Sequence, residues 1–202
     1  MMTNIVFGVC CYISEKEQIP ELERLLESLR GFKVFLIDGK WKDFDDKTDN
    51  YISIPEAYEA IGKYSNVITM ASYNGLEWQN RNLYLKCCKR SDILIWIDTD
   101  EWLEIQDKDQ MLKECKKIKK PMFLVNFYDK RFGGECLQRR GYRYPKGTHH
   151  KDRHNQAYYK KEEIFAYPAK APKGFVIHQD KSFRSVEREL DMKVRNQKEP
   201  FR

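Results

Sequence analysis

An α/β fold, a mostly parallel sheet with helices on both faces, is predicted by three observations. Short apolar runs alternate with helix-period segments from residue 4 to residue 128. The apolar runs are continuous, as expected of strands covered on both faces. Three of them end in polar signals, Tyr12 to Glu15, Asp38-Gly39 and Asp98 to Glu101. Sheets of this class bind ligands beyond the C-terminal ends of their strands, so the three ends would face one crevice.

Each element follows from its local pattern. Asn4 to Tyr12 reads as the first strand. From Pro20 to Leu29, Leu22, Leu25, Leu26 and Leu29 recur at helical spacing, and Gly31 ends that helix. Phe32 to Ile37 is a second strand, stopped by Asp38-Gly39, and residues 40–50 are a charged loop. Pro55 opens a short helix through Lys63. Asn66 to Met70 is a third strand, Leu76 to Lys89 a helix, and Ile93 to Ile97 a fourth strand. Asp107 to Lys119 is a further helix and Met122 to Tyr128 a further strand. Residues 129–173 are rich in Gly, Pro, Tyr, His and basic side chains, which predicts short antiparallel strands and long loops. Gly174 to His178 is a last strand and Phe183 to Asn196 a charged terminal helix. Without a clear linker, 1–202 reads as a single domain, with 1–128 as its α/β part and 129–202 as a second region packed on the sheet.

The chemistry concentrates at Asp98-Thr99-Asp100-Glu101, which closes the buried run Ile93 to Ile97. Three carboxylates within four residues at the end of a buried strand call for a compensating cation. Asp98 and Asp100 are two apart, so in extended chain both leave the same face. Two hard oxygen ligands there suit Mg²⁺ or Mn²⁺ and the diphosphates such ions carry.

Composition narrows the alternatives. No apolar run approaches the roughly 20 residues of a membrane helix. Met1 to Tyr12 lacks a basic leader, so it reads as a strand and not a signal peptide. Cys10-Cys11, Cys87-Cys88, Cys115 and Cys136 show no Cys-x-x-Cys spacing, and reduced packed thiols in a cytoplasmic protein are the simpler account. Residues 1–107 hold 12 Lys and Arg against 19 Asp and Glu, a net of −7; residues 108–202 hold 25 against 12, a net of +13. The basic half would meet phosphates, an anionic acceptor or, by peripheral association, a membrane surface. No Gly-x-Gly-x-x-Gly and no Walker loop follows the first strand, so phosphates would be held through a metal.

These pieces together resemble the GT-A glycosyltransferases, in particular the family 2-like group. Tyr12-Ile13-Ser14-Glu15 is similar to the sequence that often ends the family's first strand, and Asp38 stands where the family places an acidic residue against the base. Glu77-Trp78-Gln79-Asn80-Arg81-Asn82 resembles its Arg-Asn-bearing helix, and Asp98-Thr99-Asp100 its Asp-x-Asp. Val176-Ile177-His178, followed by Arg184-Ser185-Val186-Glu187-Arg188, is similar to its late His and Arg-rich helix. The resemblance implies transfer of a sugar from a UDP- or GDP-linked donor to a hydroxyl of a glycan, lipid-linked or other acceptor, with inversion and with Mn²⁺ or Mg²⁺. It assigns Tyr12 and Asp38 to the base, Arg81 to the nucleotide side and Asp98 to the ribose or the metal's water shell. Asp100 would bind the metal directly and His178 would complete its coordination.

Inverting transfer needs a group to take the acceptor's proton. Asp152, in the polar stretch Thr148 to His154, is the candidate, with Glu163 second. His149, His150 and Tyr144 are expected on the acceptor side; nearby Gly147 and Pro145 argue against a helical zinc site at His150 and His154. Two other classes stay open. A metal-dependent nucleotidyltransferase would share the sheet and carboxylates but usually carries a glycine-rich basic loop that this chain lacks. A basic nucleic-acid-binding module would explain the late charge but not acidic strand ends at one crevice, which makes nucleic acid the weaker partner.

Overall fold

In the computed structural model, residues 4–40, 52–72, 76–130, 133–151, 156–164 and 171–179 are described. In chain order the elements are β1 (Ile5–Cys11), α1 (Ile19–Ser28), β2 (Lys33–Asp38), α2 (Pro55–Gly62), β3 (Val67–Ala71), α3 (Glu77–Cys87), β4 (Ile93–Asp98) and β5 (Glu101–Ile105). There follow α4 (Lys108–Lys117), β6 (Met122–Asp129), β7 (Gly134–Tyr142), β8 (Thr148–His150), β9 (Ala157–Tyr159), β10 (Glu162–Ile164) and β11 (Phe175–Gln179). The alternation expected through residue 128 is present, with one addition. Glu101–Ile105 is a strand, hidden in the sequence because it follows the acidic turn almost without a break. The terminal helix expected over Phe183 to Asn196 lies outside the described residues.

Eight strands form the main sheet, in the order β3-β2-β1-β4-β7-β6-β11-β5. The first four are mutually parallel. Between β4 and β6 runs β7, antiparallel to both; β11 is parallel to β6 and antiparallel to β5. The region after residue 128 therefore does more than pack on the sheet, because β7 and β11 are built into it.

That order forces the sheet to curl. β4 and β5 are four strand spacings apart, about 19 Å in a flat sheet. The three peptide steps from Asp98 to Glu101 span at most about 11 Å. The sheet bends round so that its last strand returns toward β4.

Alternation along the strands divides the core. Ile5, Phe7, Val9 and Cys11 face α1, α2 and α4 with Ile93, Ile95 and Ile97. Val6, Cys10, Leu94 and Tyr142 face α3 and the small antiparallel sheet β8-β9-β10. Gly8 lies on this second face under the ring of Tyr84, where a Cβ would stand 2.8 Å from a ring carbon. The register pairs Cys11 with Asp38 and Cys10 with Asp98. The expected strand ends thus share one edge of the sheet.

Candidate functional site

Trp96 organises the site. It leaves β4 on the α3 face, two residues before Asp98, so both side chains point the same way. The Arg81 guanidinium lies 3.8 Å from the centre of its ring and that of Arg140 3.7 Å. Both arginines are buried. Arg81 comes from the inner stripe of α3, with Asn80, Tyr84, Leu85 and Cys88. It donates to the Tyr84 hydroxyl at 3.2 Å and approaches Asp98 at 3.7 Å. Arg140 arrives from β7. Where β4 and β7 pair, with Leu94 opposite Tyr142 and Ile95 opposite Gly141, the next residue of β7, Arg140, lies over the Trp96 ring.

The carboxylates gather around these cations. Arg140 donates to both oxygens of Glu101, at 2.7 and 3.1 Å, and to Asp98 at 3.4 Å, while its Nε donates to Gln138. Glu101 is enclosed and also accepts the backbone N–H of Asp98 at 2.8 Å. Burial raises its carboxyl, the Arg140 guanidinium on both oxygens opposes this and favours the carboxylate form, and Asp98 and Asp100 add repulsion. Asp100 is buried and accepts from the Gln179 amide at 2.9 Å. One oxygen from each of Asp98, Asp100 and Glu101 lies within 4.8 Å of the others.

Among the described residues, three carboxylates and two guanidiniums, counted as ions, give the cluster a sum of one negative charge. Its donors to a cation are oxygens, without thiolate or imidazole. That set fits Mg²⁺ or Mn²⁺, and binding a divalent ion would invert the local charge to +1, suited to a polyanionic ligand.

The structure brings together Arg81, Asp98 and Asp100 among the expected site residues. Tyr12 is half-buried at the end of β1, with the Lys40 ammonium 5.8 Å from its ring centre. Asp38 requires a correction. It is fully buried, and its carboxylate accepts from the backbone N–H of Ser53 at 3.1 Å and from the hydroxyls of Ser53 and Tyr58. Those bonds pin the segment before α2 to the strand ends; they enclose the carboxylate where a nucleotide base would need it open.

His178 requires another. Successive residues of a strand face opposite ways, and in β11 it is Gln179 that points to Asp100. His178 stacks on Trp102 with ring centres 5.2 Å apart, sits 5.5 Å from Tyr128, and places Nε2 2.9 Å from the Glu104 carboxylate. It lies on the far face from the cluster.

His150 is likewise part of the frame. It is buried, its backbone N–H and C=O are both held by the Asn82 amide at 2.7 Å, and its ring spans Tyr142 and the Gln156 carbonyl. A carbonyl only accepts, so Nδ1 carries the proton and Nε2 receives the Tyr142 hydroxyl. His149 lies on the outward face, stacked on Tyr158 across β8 and β9, and Tyr144 stacks on Tyr159. Glu163 is exposed on β10 opposite Tyr158 and does not join the cluster. Asp152 lies outside the described residues.

Sequence reasoning missed Arg140, Gln179 and the ionic role of Glu101. One signal was available for Arg81: a helix whose apolar stripe is interrupted by Asn80-Arg81 is burying polar groups toward a partner.

No protein-family model matches the chain, and no curated protein matches it. Among solved structures it is similar to S. aureus TarS 1-349, at 18% identity and a TM-score of 0.44 over 62% of this chain and 36% of that one. It is also similar to S. aureus TarS 1-349 in complex with UDP-GlcNAc, at 14% identity and a TM-score of 0.45 over 62% and 35%. The chain spans about a third of the length of these proteins.

Proposed function

We propose that this chain carries the donor site of an inverting GT-A-type glycosyltransferase, which moves a sugar from a UDP- or GDP-linked donor to a hydroxyl acceptor, with Mn²⁺ or Mg²⁺ held by Asp98 and Asp100. One observation carries the reading: Asp98, Asp100 and Glu101 converge at a strand end with two buried arginines. A bound divalent cation would supply stabilisation of the charge that develops on the departing diphosphate. The chain's own residues do the rest. Arg81 and Arg140, fixed against Trp96, present positive charge beside the carboxylates. Tyr12 offers an aromatic edge at the mouth for the base. His149 and Tyr144, with Tyr158 and Tyr159, form the acceptor side. Asp152 takes the acceptor proton, with Glu163 as the alternative.

The acceptor class is a glycan, a lipid-linked sugar or another hydroxyl compound in the cytoplasm, with the basic C-terminal half meeting a membrane surface. Among the described residues no helix is long and apolar enough to cross a membrane.

The test is calorimetric and thermal-shift titration with UDP- and GDP-linked sugars, UDP-GlcNAc among them, with and without Mn²⁺ or Mg²⁺. Metal-dependent stabilisation of at least one donor is expected, and Asp100→Asn should abolish the metal-dependent part while the fold survives. Metal-independent, salt-sensitive binding of oligonucleotides in place of sugar nucleotides would overturn the reading in favour of a nucleic-acid module. Release of pyrophosphate during turnover would convert it to nucleotidyl transfer.

A further inference from the structure

Glu101 lies in the acidic motif but is held differently from its neighbours. Both of its oxygens are taken by one guanidinium, at 2.7 and 3.1 Å, and Oε2 also accepts the Asp98 backbone N–H. Its side chain is completely enclosed, whereas that of Asp98 is 30% exposed. Arg140 is equally committed: Nε to Gln138, NH2 to Glu101, and NH1 shared between Glu101 and Asp98 at 3.1 and 3.4 Å. Of the roughly four lone pairs of the Glu101 carboxylate, three are taken by Arg140 and the Asp98 N–H, and the guanidinium 2.7 Å from Oε1 repels a cation at the remaining one.

We infer that Glu101 and Arg140 form a neutralising pair that sets the charge seen by the cation, and that Glu101 is not one of its ligands. This rests on the metal-dependent reading above. Among the described residues, the two aspartates and Arg81 sum to −1 without the pair, and the pair leaves that sum unchanged. The pair fixes the backbone of the turn at Asp98 and shields the carboxylates without adding charge. Arg140 is thus a positioning residue, and the affinity for a divalent ion follows the net charge of the cluster.

The experiment measures Mn²⁺ binding by calorimetry, and thermal unfolding in parallel, on the full chain and four variants. Glu101→Gln brings the cluster to zero charge and should weaken Mn²⁺ about tenfold, the scale of one unit charge acting on a divalent ion at about 5 Å in a watery mouth. Arg140→Gln brings it to −2 and should tighten Mn²⁺ by a similar factor. Arg140→Lys keeps the charge and loses the fork, so Mn²⁺ affinity should stay within threefold while the melting temperature falls. The double variant Glu101→Gln with Arg140→Gln restores −1 and should return to within threefold of the parent.

A double variant as weak as Glu101→Gln would make Glu101 a ligand and overturn the inference. So would weakened Mn²⁺ binding in Arg140→Gln. Should Arg140→Gln fail to fold, the double variant and Arg140→Lys carry the same decision, because each preserves the charge. Absence of Mn²⁺ binding in the unmodified chain is a different result: it removes the metal-dependent reading itself.

Discussion

Replacing Gly8 by alanine tests whether the sheet interior supports the site through Tyr84. A Cβ at residue 8 would stand 2.8 to 2.9 Å from three carbons of the Tyr84 ring. Ordinary carbon contacts are about 3.6 Å, so the ring must retreat by roughly 0.8 Å. Tyr84 is fully buried and has no slack of that size. Overpacking of this kind costs about 1 to 3 kcal/mol, and the reduced entropy of the unfolded chain returns about 0.4 to 1. A net loss of about 1 to 2 kcal/mol is expected, which for a domain of this size lowers Tm by about 2 to 8 °C. The displacement should also reach the cluster, since the Tyr84 hydroxyl accepts from Arg81 at 3.2 Å and Arg81 pairs with Asp98. Thermal unfolding and Mn²⁺ calorimetry on Gly8→Ala read the two effects separately. The double variant with Tyr84→Leu, which removes the opposing ring, should recover part of the stability but not the support of Arg81. A Gly8→Ala protein with unchanged Tm would refute the packing argument at its root.

His178→Ala should lower stability by about 1 kcal/mol, and with it Tm, through the lost stack on Trp102, and leave the Mn²⁺ to Mg²⁺ preference as it was; a changed preference would return His178 to the metal. Asp38→Ala strands the Ser53 and Tyr58 donors and should cost about 3 kcal/mol, measured by chemical denaturation, with nucleotide affinity of the folded fraction intact. Selective loss of nucleotide affinity at full stability would instead assign Asp38 to the base. Under native conditions iodoacetamide should label exposed Cys136 first, whereas Cys11, Cys88 and Cys115 stay unlabelled until unfolding. Burial both hides those three thiols and pushes them up, away from the reactive thiolate.

The sheet was legible because its strands advertise themselves as continuous apolar runs, and Asp98 and Asp100 because they end one. What escaped depends on register. Arg140 becomes a partner of Trp96 only when β7 pairs antiparallel with β4, and nothing near Arg140 in the sequence encodes that alignment. His178 was misplaced by one residue of alternation. The last strand runs on to Gln179, and that single step turns the imidazole to the opposite face. Asp38 read as a strand-end carboxylate open to a ligand; Ser53 and Tyr58, 15 and 20 residues later, close it. The two rings expected to meet an acceptor diverge for a similar reason, since His149 is half-buried against Tyr158 while adjacent His150 turns to the core.

The curl of the sheet also dictates when the acidic cluster can come into being. Asp98 and Glu101 leave the ribosome three residues apart, yet their counter-ion on β7 follows 42 and 39 residues later and the Asp100 amide partner 79 residues later. During synthesis Arg81 precedes Asp98, but Asp100 and Glu101 are made well ahead of Arg140 and Gln179, so a nascent chain ending soon after Glu101 must keep those two carboxylates in water. The acidic cluster is a late product of folding, assembled by long-range closure and not by the strand that bears its motif. A destabilised chain would lose it early, by release of β11 and β5 from the rim, before the four parallel strands at the other end of the sheet came apart.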